Sequence, residues 1–155
     1  MVPLFRSMLL LLLVTLLSAE KVQITSDAMK AVDAQKQVQF IGNVTVKQQE
    51  DWIHGDKVVV YFDENNETKK YEAAGKVTFE IKKKKNFYKG SANKVIYLPF
   101  ESKYILSGKA IIDDVVNKRH IAGEEIMLDT KTGNANVEGK MKEPVKFIFD
   151  LEEQK

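Results

Sequence analysis

Gly42-Asn43-Val44-Thr45-Val46, Gly75-Lys76-Val77-Thr78-Phe79, Gly108-Lys109-Ala110-Ile111-Ile112 and Gly139-Lys140-Met141 are versions of one phrase, spaced by 33, 33 and 31 residues. A second series runs between them at spacings of 35 and 33: Gly55-Asp56-Lys57-Val58-Val59-Val60-Tyr61, Gly90-Ser91-Ala92-Asn93-Lys94-Val95-Ile96-Tyr97 and Gly123-Glu124-Glu125-Ile126-Met127-Leu128-Asp129. Ser26-Asp27-Ala28-Met29-Lys30-Ala31-Val32 reads as an earlier copy with serine in the glycine place. Two interleaved series at one period mean a repeated supersecondary unit.

The unit is β. After each glycine the apolar residues alternate with period two. Val44 and Val46 share a face, as do Val77, Phe79 and Ile81, while Asn43, Thr45, Lys76, Thr78 and Glu80 between them are polar. β-branched and aromatic residues dominate these runs. Asp63-Glu64-Asn65-Asn66, Pro99-Phe100-Glu101-Ser102 and Lys131-Thr132-Gly133-Asn134 separate them as turns. Glycine inside a strand pattern marks a bend or bulge, and a glycine at each corner lets successive strands cross from one sheet to another. The expected architecture is all-β: repeated antiparallel hairpins folded into two opposed sheets, open at both ends. Its first strand, Val22-Gln23-Ile24-Thr25, and its last, Val145-Lys146-Phe147-Ile148-Phe149, are undefended edges. Such edges invite pairing with another chain.

Parity places Val22, Ile24, Phe40, Val44, Val46, Val58, Val60, Phe62, Val77, Phe79, Ile81, Val95, Tyr97, Leu106, Ile112, Ile126 and Leu128 on the inward face. By the residues alone, a packed core is the plainer account of this set.

At 155 residues the chain is one domain's length. It has no cysteine, hence no disulfide framework, thiolate metal site or lipid-anchored cysteine. A formal charge of +2 is far from the basic excess of a nucleic-acid binder. The N-terminus has the order of a secretory signal: Arg6, an apolar stretch from Leu4 to Leu17, then Ser18-Ala19. The unbroken apolar run Met8 to Val14 is far short of the roughly 20 residues a membrane helix needs. The expected organisation is a signal peptide over 1–19 cleaved after Ala19, a β domain over 20–150, and a polar tail over 151–155. An uncleaved anchor is the alternative for the first segment.

Catalysis finds little support. His54 and His120 lie in no metal-ligand spacing. Asp113-Asp114 and Glu124-Glu125 are adjacent, so in strands each pair points to opposite faces and cannot share a proton. No cofactor, metal or enzymatic activity is expected.

The phrases Ile24-Thr25-Ser26-Asp27, Phe40-Ile41-Gly42-Asn43-Val44-Thr45-Val46, Gly55 to Tyr61 and Gly90 to Tyr97, ordered behind a signal segment, resemble the OstA or LptA family of periplasmic lipopolysaccharide-transport proteins. The likeness covers residues 22 to about 140; residues 141–155 match least well. The resemblance implies a β-jellyroll whose interior binds the lipid A part of lipopolysaccharide. It further implies edge-to-edge joints with further copies, with an LptC-like inner-membrane protein, and with the N-terminal domain of an LptD-like outer-membrane barrel. The inward set then becomes a lipid trough, in which Val22, Ile24, Phe79 and Tyr97 match lipid-facing positions. Lys82, Lys83, Lys84, Lys85 and Lys89 become candidate phosphate contacts, against the plainer reading of a charged hairpin tip. Other readings left by the residues are a cargo-free stacking module, a membrane-anchored LptC-like relative, and a glycan- or polyanion-binding module using Trp52 and the Lys82–Lys85 run.

Overall fold

The computed structural model describes residues 21–151. The signal segment and the last four tail residues lie outside them. Ten strands follow one another: β1 (Val22–Thr25), β2 (Ala28–Val32), β3 (Gln37–Gln48), β4 (Asp51–Phe62), β5 (Thr68–Lys83), β6 (Asn86–Leu98), β7 (Lys103–Asp114), β8 (Arg119–Asp129), β9 (Ala135–Glu138) and β10 (Lys146–Phe149). All are antiparallel to their neighbours, in the order β1-β3-β4-β5-β6-β7-β8-β10, with β2 also on β3 and β9 also on β8.

The long strands are creased in the middle. Register breaks fall between Ile41 and Val44, His54 and Lys57, Ala74 and Val77, Ser91 and Lys94, and Ser107 and Ala110. They line up across the strands, because the first glycine series supplies a bulge on every second one. Gly42, Gly75 and Gly108 have φ of +84°, +84° and +81°. The next residues, Asn43, Lys76 and Lys109, also sit in the left-handed region, at +50°, +47° and +49°. Room is short there too. A Cβ on Gly42, Gly75 or Gly108 would run into Asp27, Asp56 or Asn93 respectively, so the second series covers the crease of the first.

The crease divides the sheet into two half-sheets that fold face to face. Half-sheet one has β2 and β9 as its edges, and half-sheet two has β1 and β10. One contact demonstrates the fold-over. Ile112 is the β7 rung next to Gly90, which pairs Phe79. Tyr104 lies eight residues away along β7, which a flat strand would place roughly 26 Å off. The rings of Phe79 and Tyr104 nevertheless stack with centroids 6.5 Å apart.

The all-β, two-layer jellyroll expected from the repeats is therefore the observed fold. One expectation fails at Gly90. It is not a corner but lies in the regular ladder between Phe79 and Ile112. A Cβ there would strike the Phe79 ring and the Ile111 carbonyl oxygen. Gly90 is small so that Phe79 can lie across it, and the crease of β6 falls at Ala92–Asn93 instead.

Candidate functional site

Alternation along each strand sends one apolar row from each half-sheet into the space between them. In the middle of that space the rows meet. Val44, Val77, Leu106 and Ile126 are 0% exposed, and Val58, Phe79, Ile81, Val95 and Ile112 are at most 2%. Val60 and Leu128 complete this sealed block. These side chains pack at the density of a protein interior.

At the β1–β2 end the same rows separate. Val22, Ile24, Met29, Val38, Phe40, Val60, Phe62, Thr68 and Tyr71 line a cavity of about 320 Å³. Val22 is 40% exposed and Met29 64% exposed. The half-sheets part because β1 and β2 are short and have no further strand beyond them. Ile24, Phe40, Val46 and Phe62 are half-buried between this cavity and the sealed block.

An aromatic row leads from the cavity inward. Tyr71, Tyr97 and Tyr104 are successive rungs on β5, β6 and β7. Their rings stack at 6.0 and 4.4 Å, and Phe79 closes the row against Tyr104. Burial, with added repulsion from Tyr97, Asp51 and Tyr71, pushes the Tyr104 phenol far above its ordinary range. It stays protonated and presents a neutral, flat face at the inner end of the row. Sequence parity found Tyr97 and Phe79 but missed Tyr71 and Tyr104. Reading back two residues from Leu106 would have found Tyr104. That the three tyrosines form one row depends on strand register, which a single sequence does not display.

The other end is open as well. Phe147 and Phe149 stand on the inner side of β10, beside Ile121 and Arg119 of β8, with ring centroids 5.4 Å apart. They are 52% and 53% exposed. With Asn117, Arg119 and Asp150 they border a second space of about 320 Å³. Val145 and Ile148 are exposed too. The expected docking strands Val22–Thr25 and Val145–Phe149 are thus edges of the same half-sheet, the second beginning one residue later than expected, at Lys146. The edges of its opposite number, β2 and β9, were not anticipated as docking strands.

The lysine group is split by the strand. Lys82 and Lys89 are on the outer face, on either side of the Phe87 ring at 5.3 and 5.4 Å. Lys82 pairs with Glu50 at 3.9 Å and Lys89 with Glu80 at 3.6 Å. Lys83 is on the side of buried Ile81 and pairs at 3.4 Å with Asp51, beside the tyrosine row. Lys84 and Lys85 make the hairpin tip. Both histidines sit on the outer face of half-sheet two, tied to neighbours: His54 Nδ1 to Thr45 Oγ1 at 2.9 Å, His120 Nδ1 to Asp113 Oδ1 at 2.5 Å. Among the described residues, no three His, Asp or Glu side chains converge on a metal-sized site.

A family model described as "LptA/(LptD N-terminal domain) LPS transport protein" matches residues 23–134. Among solved structures, the chain is similar to the crystal structure of LptH, the LptA-homologous periplasmic component of the lipopolysaccharide transport device of Pseudomonas aeruginosa. Identity is 18%, with a TM-score of 0.75, covering 85% of this chain and 96% of that one. At that identity the likeness speaks for the fold. No curated protein matches the sequence.

Proposed function

The chain belongs to the LptA/LptD N-terminal domain family of lipopolysaccharide-transport proteins, and on that premise we propose that it is a periplasmic carrier that holds lipid A acyl chains between its half-sheets and bridges inner- and outer-membrane transport complexes. The observation that carries this reading is the apolar cavity at the β1–β2 end, continuous with the stacked tyrosines. Hydrocarbon enters such a surface at roughly 25 cal/mol per Å² removed from water. No directional bond holds it, so cargo can pass on. At about 320 Å³ the cavity is at the small end for a bound ligand. Several acyl chains require Phe79 and Tyr104 to part, or a second cavity to join the first.

Stacking supplies that second cavity. In half-sheet two the inner rungs run from Ile24 at one edge to Phe147 at the other, and the next row out ends at Phe149 on β10 and Val22 on β1. Adding a copy in the same orientation keeps antiparallel pairing and sets Phe147 beside the next copy's Ile24, and Phe149 beside its Val22. The same operation sets β9 against β2 and brings the two end spaces together. An LptC-like protein at one end and the N-terminal domain of an LptD-like barrel at the other fit the same edges. Lys83, paired with Asp51 beside the tyrosine row, and Lys84 and Lys85 of the adjoining hairpin tip are the candidates for lipid A phosphates. Residues 1–19 would direct export and be removed by cleavage after Ala19.

A photo-reactive residue at Val22 or Phe62 tests the carrier in living cells. Lipopolysaccharide adducts are expected there and not at the outward Lys57 or Lys76. Export of a folded probe protein without any adduct would refute cargo binding. It would favour a second reading, a cargo-free stacking module, whose support is the sealed centre of the sandwich.

A further inference from the structure

We propose that the crossover from β9 to β10 builds a second binding site, on the outside of the sandwich, for a single-chain anionic amphiphile: an alkyl chain ending in a phosphate or carboxylate. It stands independently of the interior trough. Residues 139–145 leave half-sheet one after Glu138 and enter half-sheet two at Lys146. On the way they close a tight turn. The Lys140 N–H donates to the Glu143 carbonyl at 2.9 Å, and the Glu143 N–H donates back to Lys140 at 3.1 Å. This arch stands off the crease of β7 and β8 and encloses about 470 Å³, more than either end space. The volume is within the range of small-molecule sites, roughly 300–1,000 Å³.

The lining has two parts. The accessible floor and wall are apolar or small: Ile111, Ala122, Gly123, Pro144 and Val145. Ile111 and Ala122 are paired neighbours that alternate with Ile112 and Ile121 of the inner face, so their side chains point outward. Ala110 and Ile112 are sealed against the interior, at 0% and 2% exposed, and the β7 strand separates this pocket from the trough. The rim carries Lys109, Lys142 and Lys146 against Glu124 and Glu143. Lys140 already neutralises Glu124 at 3.3 Å. The rim is therefore net cationic over an apolar floor.

That pairing of features selects the ligand class. A free anion would gain the ammonium groups but leave the floor unused. A neutral chain would cover the floor and leave the lysines without a partner. An anionic head on a hydrocarbon tail satisfies both, through charge-assisted hydrogen bonds and removal of apolar surface from water.

The test uses the full mature chain, isotopically labelled, with dodecyl phosphate and dodecanoate kept below their micelle concentrations. Amide resonances of 109–111, 122–124 and 142–146 are expected to shift together and saturate. In Ala122→Trp, which fills the floor from outside, affinity is expected to fall at least tenfold while shifts at Val38, Phe62 and Tyr71 persist. The exposed double variant Lys109→Glu with Lys146→Glu serves the same purpose without altering packing and is expected to lose binding similarly. Inorganic phosphate alone and the uncharged dodecyl maltoside are the controls, and neither should reproduce the effect. Equal shifts with inorganic phosphate would reduce the pocket to an anion patch, and equal shifts with the maltoside would remove the charge requirement. Shifts confined to Val38, Phe62 and Tyr71, or none at all, would also overturn the proposal.

Discussion

The sealed middle of the sandwich and its two open ends are made from the same repeat, with the same alternation, yet they present opposite surfaces. In the middle, Val44, Val77, Leu106 and Ile126 each find a neighbouring strand on both sides and a facing half-sheet, and water is excluded. At the ends, Val22 and Met29, or Phe147 and Phe149, occupy equivalent inward positions but have only one neighbouring strand. They stay near half exposed or above. What an inward residue does in this fold is thus set by its distance from the edge of the sheet. Residues in the centre stabilise the fold, and chemically similar residues at the ends remain exposed.

Substitutions can break this contrast, beginning where packing is densest. Leu106→Ala should cost about 3 kcal/mol, because the lattice around it cannot collapse into the space. A denaturant titration would read this as a lowered midpoint with an unchanged slope. A midpoint within error of the parent would mean that the centre is looser than its burial indicates. Next comes the crease that folds one half-sheet onto the other. Gly75→Ala meets both a left-handed backbone and the Asp56 side chain, and a loss of about 2 kcal/mol is expected. The same change at Gly133, also left-handed but with open space around it, should cost less. Equal losses would mean that the backbone conformation alone matters and the Asp56 contact does not.

Asp114 marks the boundary between the regions. It is 3% exposed at the end of β7. Burial works to raise its pKa, but hydrogen bonds from Asn117, at 2.9 Å, and Arg119, at 2.6 Å, outweigh it and hold the carboxyl below its ordinary value. A depressed carboxyl contributes its full stabilisation above the ordinary value of about 4. That contribution is lost as the pH falls through the folded-state value. Asp114→Asn should therefore destabilise by roughly 1–2 kcal/mol at neutral pH, and the gap between the two proteins should close in acid. A gap independent of pH would assign the loss to packing.

The smallest effect on stability is expected at the open end. Phe147→Ser with Phe149→Ser should change the unfolding free energy by no more than about 0.5 kcal/mol, yet lower self-association measured by sedimentation. Unchanged association would remove β10 from the joint, and a large loss of stability would make the end part of the core.

The alternating runs and the two glycine series were enough to predict strands, an inward set and two edges. This worked because the period of a strand is imposed by its own backbone. The inward set proved to have two environments, for a reason alternation does not contain. Val22 and Val44 have equal hydrophobicity and parity, but Val22 is on an edge strand and, opposite Gln48, four rungs farther from the crease. The lysine run shows the same limit. Lys82 and Lys83 are neighbours in a string of four, yet one lies outside against Phe87 and the other beside Asp51.

By itself the sequence determined the β class, the repeat, the presence of glycine bends within the strands, and the family to which the chain belongs. These rest on local sterics and on side-chain order along one strand. Only the tertiary structure decided that Tyr71, Tyr97 and Tyr104 form one row, that Phe79 lies across Gly90, that the centre is sealed while the ends are open, and that the β9–β10 arch encloses a pocket. Each of these depends on register or on facing layers. They are relations between residues far apart in the chain, and the backbone settles them only when the half-sheets close on each other.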